Sequence, residues 1–335
     1  MWQMSPDRLV ITADWHLRED MPICRNDADW MDVQRGAMKF VIDFANEKKA
    51  SVAIVGDLFH RSHVHPSVVS MFLEEVGRYF VEGGGVYLLA GQHDLPYHSL
   101  ENISKSSFGN LWALIQRHRF DRVKGAYIDF HLGDLEEIGT RLHFGELRVD
   151  RPREHSDDCA VTLGGGACDC PYQPTHFVFI HQLAFKSKKD MPPTDEGMLA
   201  EDLAAMFPEA RIIALGDNHR HFMWETHTKE RDQVILNPGC LVRQSADLID
   251  YESGFYYVDE EQIDFVVVPD SGTVSNAHLV REQERDDRIE AFVSTLEKGQ
   301  EVSLDFVQNL RSKMGQLEKP VVDVLEEMLQ EIHGG

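Results

Sequence analysis

A chain of 335 residues, 42% hydrophobic and 27% charged, has the composition of a globular protein with room for one large α/β domain and a smaller appendage. No stretch approaches the ~18 consecutive apolar residues of a membrane span, and residues 1–8 lack a basic-then-apolar leader, so a soluble cytoplasmic protein without membrane attachment is expected. The net charge of −24 excludes a simple basic nucleic-acid binder, and five cysteines, an odd number, argue against a secreted disulfide framework.

Residues 9–13 form a short apolar, β-branched run, the mark of a buried strand, and end in Asp14-Trp15-His16. An amphipathic helix is expected over 30–49, with Val33, Ala37, Phe40, Val41 and Phe44 on one face. A second strand, 52–55, runs into Gly56-Asp57-Leu58-Phe59-His60, and Pro66 opens a second helix over 66–81. The strand at 86–90 leads to Gly91-Gln92-His93-Asp94. Residues 124–148 read as a strand pair, and 150–175, with a Gly164 to Gly166 triplet and three cysteines, as an inserted loop. Strands at 177–180 and 212–215 end in His181-Gln182 and Gly216-Asp217-Asn218-His219. A strand at 234–236 precedes Asn237-Pro238-Gly239, and 253–268 reads as another strand pair. Beyond Pro269 three helices are expected, over 279–296, 304–310 and 321–332. Residues 251–335 carry 19 Asp and Glu against 7 Lys and Arg, half of the net charge. Strand–helix alternation followed by strand pairs indicates an α/β protein with mixed sheets. The expected organisation is a domain at 1–269 and an acidic helical region at 270–335.

The chemistry lies where the strands end. One Asp-x-His or one Gly-Asp after a strand is an ordinary turn, and a lone histidine there is more often a satisfied cap. Five successive strands that each deliver Asp, His or amide groups at their carboxyl ends form a constellation, because ligand sites of open α/β sheets gather at that edge. Carboxylates and imidazoles converging there suit Mn²⁺, Fe²⁺ or Zn²⁺.

The order D-x-H, G-D, G-N-H-D, H, G-H-x-H resembles the signature of calcineurin-like metallophosphoesterases, matched here from Asp14 to His219. The strings Gly56-Asp57-Leu58-Phe59-His60 and Leu241-Val242-Arg243-Gln244-Ser245 resemble the SbcD-type DNA repair exonuclease branch. The resemblance implies a β-sandwich of two mixed sheets flanked by helices, with a small, mainly helical C-terminal extension. It implies two divalent ions, one held by Asp14, His16 and His219, the other by Gln92, His181 and Asp217, with Asp57 bridging. By the same resemblance His93 protonates the leaving oxygen, Asp94 orients His93, and His60 lies near the substrate. Two positions depart from the pattern. Gln92 stands where Asn is usual and Asp217 where the first His of G-H-x-H is usual; both are competent ligands, and the added hard oxygen favours Mn²⁺, with Mg²⁺ or Fe²⁺ as alternatives, over Zn²⁺.

The function this implies is a metal-dependent DNA phosphodiesterase, exo- or endonucleolytic, in an SbcC/SbcD-like recombination and repair complex. Its partners would be DNA and an SbcC-like coiled-coil ATPase, and a homodimer is a further expectation. A small-molecule phosphodiesterase or phosphatase is the alternative, which the acidic charge favours. A non-catalytic scaffold is the third reading, and the intact Asp14, His16, Asp57, His93, His181 and His219 argue against it.

Cys159, Cys168 and Cys170, near His155 and His176, raise a structural Zn²⁺ site, but C-x8-C-x-C lacks the paired C-x2-C knuckle, so a plain loop is the favoured reading. Lys186, Lys188 and Lys189 follow His181 and are expected either to meet DNA phosphates or to be solvated. A second basic cluster comprises Arg117, His118, Arg119, Arg122 and Lys124. The last helix places Val321, Leu325, Met328 and Ile332 on one stripe, for docking on its own domain or, by the resemblance, on the base of the partner's coiled coil.

Overall fold

Two chain segments of different character emerge in the computed structural model, Met1–Val274 and Ser275–Gly335. The structure describes residues 8–79, 85–118, 127–130, 133–134, 143–149, 175–193, 195–208, 210–227, 232–259, 262–269, 272, 274–297, 310–315 and 319–333. The first unit runs a few residues past the expected 269, because Val274 bridges to Arg25.

In chain order its strands are β1 (Leu9–Thr12), β2 (Ser51–Val55), β3 (Gly85–Leu89), β4 (Tyr127–Phe130), β5 (Gly133–Asp134), β6 (His143–Val149) and β7 (Thr175–His181). They continue with β8 (Ala184–Phe185), β9 (Met198–Leu199), β10 (Ile212–Gly216), β11 (Phe222–His227), β12 (Asp232–Asn237), β13 (Gly254–Val258) and β14 (Ile263–Val267). One six-stranded sheet has the order β14-β13-β1-β2-β3-β4, the other β11-β12-β10-β7-β6-β5, and β8 pairs with β9. Both large sheets are mixed. β1 to β4 run parallel, as do β7, β10 and β12, while β13, β14, β11 and β6 pair antiparallel. Two mixed sheets flanked by helices are what the resemblance implied.

The apolar runs are continuous because the central strands are buried on both faces. Leu9, Ile11, Ala53, Val55, Tyr87 and Leu89 point to one side and meet Phe177, Phe179, Ile212, Ala214 and Leu236 of the second sheet. Their alternate neighbours Val10, Val52, Ile54, Val86 and Leu88 meet the helices on the other side. Each such side chain contributes about 1.5–3 kcal/mol by burial, so Ile11→Ala, with its cavity, costs about 2–5 kcal/mol.

α1 (Trp30–Lys48) starts at Asp29, whose carboxylate accepts the Asp32 N–H, and stops at Lys49 in the left-handed region (φ 54°). Its buried face is Trp30, Gln34, Ala37, Met38, Val41, Ile42 and Ala45, the spacing of one helical stripe. α2 (Pro66–Val76) was expected to reach 81 but ends at Gly77, whose N–H closes on the Leu73 carbonyl. The chain then turns so that the Tyr79 hydroxyl donates to the Ala50 carbonyl (2.8 Å). α3 (Ser107–His118) follows, and α4 (Ala200–Met206) covers the outer face of the second sheet with Leu203 and Ala204 against Val178, Ile180, Ile213, Leu215 and Ile235.

Residues 124–148 are not one strand pair. β4 extends the first sheet beside β3, whereas β5 and β6 belong to the second. Hydrophobic periodicity reports that a run is extended; it does not report which sheet edge receives it. The cysteines at 159, 168 and 170, with His155, lie outside the described residues, as do Arg119, Arg122 and Lys124.

The second unit contains α5 (Ala277–Glu297), a helical turn at 310–314 and α6 (Lys319–His333). In α6 the packed stripe is Val322, Leu325 and Leu329, set against Leu310 and Met314, while Val321 and Val324 are exposed. The expected stripe through Val321 and Met328 is thus rotated by about one residue, as the turn at 310–314 approaches from that side. Among the described residues no helix is long and apolar enough to cross a membrane.

Candidate metal centre

The loops that leave β1, β2, β3, β7 and β10 meet at one edge, and their backbones are fastened to each other before any side chain is considered. The N–H groups of Asp14, His16 and Leu17 donate to the carbonyls of Gly56, Asp57 and Leu58, at 3.2, 2.9 and 2.9 Å. Gln34 of α1 brackets the same loop, accepting from the Arg18 N–H and donating to its carbonyl (2.9 and 2.8 Å). Asp14, His16, Asp57 and Asp217 all lie in the left-handed region, with φ of 50°, 44°, 47° and 84°. Such conformations cost on the order of 1–3 kcal/mol each and persist where the surroundings fix them. The glycines make room: a Cβ at Gly91 would overlap the Asp57 carboxylate, and one at Gly56 would overlap the His181 ring.

Asp57 is the hub. Its Oδ1 accepts the His93 backbone N–H at 2.9 Å. Its Oδ2 is buried with no hydrogen-bond partner, facing Nε2 of His181 at 3.2 Å, of His16 at 3.7 Å and of His93 at 3.9 Å. The tautomers follow from the far side of two of these rings. His181 Nδ1 donates to the Val55 carbonyl and His93 Nδ1 to the His60 carbonyl, each at 3.0 Å, which leaves an Nε2 lone pair on each neutral ring. Lone pairs of imidazoles and a carboxylate therefore point at a common space. With neutral rings that arrangement is repulsive unless a proton on His181 or a metal ion fills the space, and it is what a metal ligand set requires.

Asp57 joins two groups whose ligand atoms lie within 4.8 Å of one another, His16-Asp57-His93 and Asp14-Asp57-His181. His219 completes the first, its Nε2 3.1 Å from that of His16. Asp14 lies nearer His181, 3.8 Å from its Nδ1, than the expected grouping with His16 and His219 implied. Gln92 and Asp217 meet directly, the Gln92 amide donating to Asp217 Oδ1 at 2.6 Å, and the Asp217 N–H donates to both Asp14 oxygens at 3.0 and 3.1 Å. The residues fit a metal centre on this structure's own terms: among the described residues the buried Asp57 Oδ2 and the buried His181 Nε2 lie side by side without a hydrogen-bond partner.

The local field agrees. Burial disfavours the His181 imidazolium, yet the Asp57 carboxylate, with Asp14 and Asp217, outweighs it and carries the group up to about 10. Burial depresses His16 and His219, and it raises Asp14 well above the usual carboxylate range. Burial, with Arg18 next, holds His60 down to about 4. The acidic field that would protonate His181 is one a dication satisfies in the proton's place.

Asp94 does not orient His93. Its carboxylate is buried and accepts three backbone N–H groups, from Leu58 (3.1 Å), Phe59 (2.8 Å) and Gly91 (2.9 Å), while His93 is oriented by the His60 carbonyl. Burial and the nearby Asp57 raise the Asp94 carboxyl to about 7 against those amides. The His60 ring stacks beside that of His93, centroids 6.0 Å apart, and edge-on to His16 at 5.7 Å. Lys186, Lys188 and Lys189 are exposed on the turn between β8 and β9. Two positioning residues lay in strings noticed in the sequence without a role. Asn237 donates to the carbonyls of Asn218 (2.6 Å) and Arg220 (2.7 Å), bracketing His219. Gln244 donates to the carbonyls of Trp15 (3.2 Å) and His16 (3.1 Å), pinning the first loop from the opposite side.

Residues 7–163 match the model of a family described as calcineurin-like phosphoesterase. That span carries Asp14, His16, Asp57, Gln92 and His93; His181, Asp217 and His219 lie beyond it and join them through the fold. No curated protein matches the chain. Among solved structures it is similar to a conserved uncharacterized protein, a predicted phosphoesterase, from Streptococcus pneumoniae TIGR4, at 13% identity over 80% of this chain and 92% of that one, with a TM-score of 0.32.

Proposed function

We propose that this chain, with its calcineurin-like phosphoesterase match at residues 7–163, is a Mn²⁺-dependent DNA phosphodiesterase, the nuclease component of a complex with an SbcC-type coiled-coil ATPase. The observation that carries the metal-dependent hydrolase reading is the orphaned Asp57 Oδ2 with three imidazole Nε2 atoms at 3.2–3.9 Å around it. The DNA substrate and the ATPase partner rest on the likeness of the Gly56-Asp57-Leu58-Phe59-His60 and Leu241 to Ser245 strings to the SbcD branch.

Asp14, His16, Asp57, Gln92, His181, Asp217 and His219 would hold two divalent ions, Asp57 standing between the His16 and His219 pair and the Asp14 and His181 pair. When bound, such ions supply Lewis-acid neutralisation of phosphoryl charge and lower the pKa of the attacking water. The protein's own share is positional. Asp57 is fixed through its other oxygen by the His93 amide, so its free oxygen keeps one direction. His93 is held by the His60 carbonyl at Nδ1 and is partly solvent-accessible, so that its imidazolium, having taken a proton from solvent at Nε2, would give that proton to the departing 3′ or 5′ oxygen and return to the neutral ring. His60, stacked beside it, lines the approach of the scissile phosphate. Gln34, Asn237 and Gln244 keep the ligand loops in place.

The test is hydrolysis of end-labelled single- and double-stranded oligonucleotides, beside bis(p-nitrophenyl) phosphate and p-nitrophenyl phosphate, with Mn²⁺, Mg²⁺, Fe²⁺ and Zn²⁺ added singly. Oligonucleotide cleavage that is fastest with Mn²⁺ supports the reading. Turnover of the small diester with no oligonucleotide cleavage replaces it with the small-molecule phosphodiesterase, the reading that the net charge of −24 favours.

A further inference from the structure

Tyr97 stands in the turn that follows the His93-Asp94 pair, and at 88% exposure it packs against almost nothing. Its backbone is in the left-handed region (φ 56°, ψ 24°), and His98 beside it shares that conformation (φ 53°). A bulky aromatic at positive φ is uncommon and disfavoured, since Gly, Asn or Asp would sit there at less cost. Among the described residues no packing gain offsets that cost. The turn itself is rigid: Leu95 and Pro96 are buried, the His98 N–H donates to the Leu95 carbonyl at 3.1 Å, and the Ser99 N–H to the Pro96 carbonyl at 3.3 Å. It is also tied to the centre, because the Asp94 carboxylate anchors its start and the His98 ring lies 6.4 Å from that of His93. Tyr97 is four positions after His93, so their backbones lie within about 14 Å even along an extended chain.

We infer that Tyr97 is a stacking platform for the nucleobase flanking the scissile linkage. This rests on the nuclease reading and names the part of the substrate that the metal centre does not touch. An exposed, rigidly held aromatic face beside a phosphodiester site suits a base of a single strand or of an unpaired end, since every base has a π-face and stacking is tolerant of sequence. An acidic protein has particular use for such a contact, because its strength does not depend on surface charge.

The experiment compares the full-length wild type with Tyr97→Asn, Tyr97→Phe and Tyr97→Trp, with Mn²⁺, on a labelled single-stranded oligonucleotide and on a set carrying one abasic residue at successive positions. Asn accepts the left-handed backbone, so the turn survives while the ring is lost, and unchanged thermal unfolding checks this. The expected result is a fall in kcat/KM of roughly 5- to 150-fold for Tyr97→Asn, carried mainly by KM, with Phe and Trp restoring the rate. The deficit should vanish on the oligonucleotide abasic at the stacked position, where wild type and variant become alike. Equal rates for wild type and Tyr97→Asn on the intact oligonucleotide, or a deficit unaffected by every abasic position, overturn the inference and leave the nuclease reading standing. A wild type that hydrolyses bis(p-nitrophenyl) phosphate but no oligonucleotide overturns both.

Discussion

Replacing Asp94 by alanine should unfold the protein far more readily than it should impair a folded active site. The Asp94 side chain is fully buried and its two oxygens satisfy three backbone donors on two loops, Leu58 and Gly91 at Oδ2 and Phe59 at Oδ1. Alanine strands all three. Each buried donor left unmade costs about 1–3 kcal/mol, partly offset because the buried carboxylate disappears too, so the net loss is expected at about 3–6 kcal/mol. In a domain of this size that is a fall in Tm of roughly 5–10 °C. Asparagine separates the terms. With its carbonyl at the Oδ2 position it keeps the bonds from Leu58 and Gly91 and fails only Phe59, so about 1–3 kcal/mol is expected. Urea unfolding of metal-free wild type, Asp94→Asn and Asp94→Ala, followed by circular dichroism, measures the series. If the alanine variant lies within about 1 kcal/mol of wild type while kcat collapses, the clasp is wrong and Asp94 acts through His93 after all.

Asp57→Asn should leave the fold intact, since an amide oxygen still accepts the His93 N–H, yet reduce activity below about a hundredth and abolish the stabilisation that Mn²⁺ gives wild type, about 2.7 kcal/mol at a hundredfold excess over Kd. A variant that keeps more activity than that is incompatible with a bridging carboxylate. His93→Ala should slow turnover by roughly 10²–10⁴-fold with Mn²⁺ stoichiometry unchanged by calorimetry. Because His93 Nε2 shares the space around Asp57 Oδ2 with His16, the loss of an ion in that variant would reassign it as a ligand. Asp217→His should raise zinc-supported activity relative to manganese, and Asp217→Ala should weaken manganese binding. Full activity and unchanged manganese dependence in Asp217→Ala would mean that the carboxylate serves only to accept the Gln92 amide, 2.6 Å away.

Much of this was legible in the sequence because the central strands are buried on both faces, which writes them as unbroken apolar runs, and because loops at their carboxyl ends begin at the first polar residue. Asp14, Asp57 and His181 could be placed at one edge from that rule alone. The role of Asp94 could not. Its neighbour in sequence is His93, but the turn closes so that the carboxylate faces the amides of Leu58, Phe59 and Gly91, and nothing in a linear string distinguishes a side chain that points forward from one that points back. The same blindness split 124–148 between two sheets and rotated the stripe on α6. Strand ends are local; the partner of a buried polar group is not. Gln34, Asn237 and Gln244 belong to the second kind, each a side-chain amide reaching backbone carbonyls across the fold.

The net charge of −24 argues against DNA only while the centre is counted without its ions. Asp14, Asp57 and Asp217 lie close together at the strand ends, where they would repel a phosphate, and burial together with the Asp57 charge already holds Asp14 well above the usual carboxylate range. With two dications bound as proposed, three carboxylates would be outweighed, and the sign of the local field would reverse where a scissile group would sit. Such a field is short-ranged under physiological salt, falling off over about 8 Å, and cannot steer a polyanion from a distance. The acidic remainder of the chain then has a consequence: encounter with DNA should be slow and weakly favoured unless something else holds the strand. A basic partner surface is one way to supply that, and an aromatic face at Tyr97, indifferent to charge, is another. Under the nuclease reading both needs would arise from the same imbalance, a positive point inside a negative protein, and they would set this chain apart from a nuclease that captures DNA by its own electrostatics.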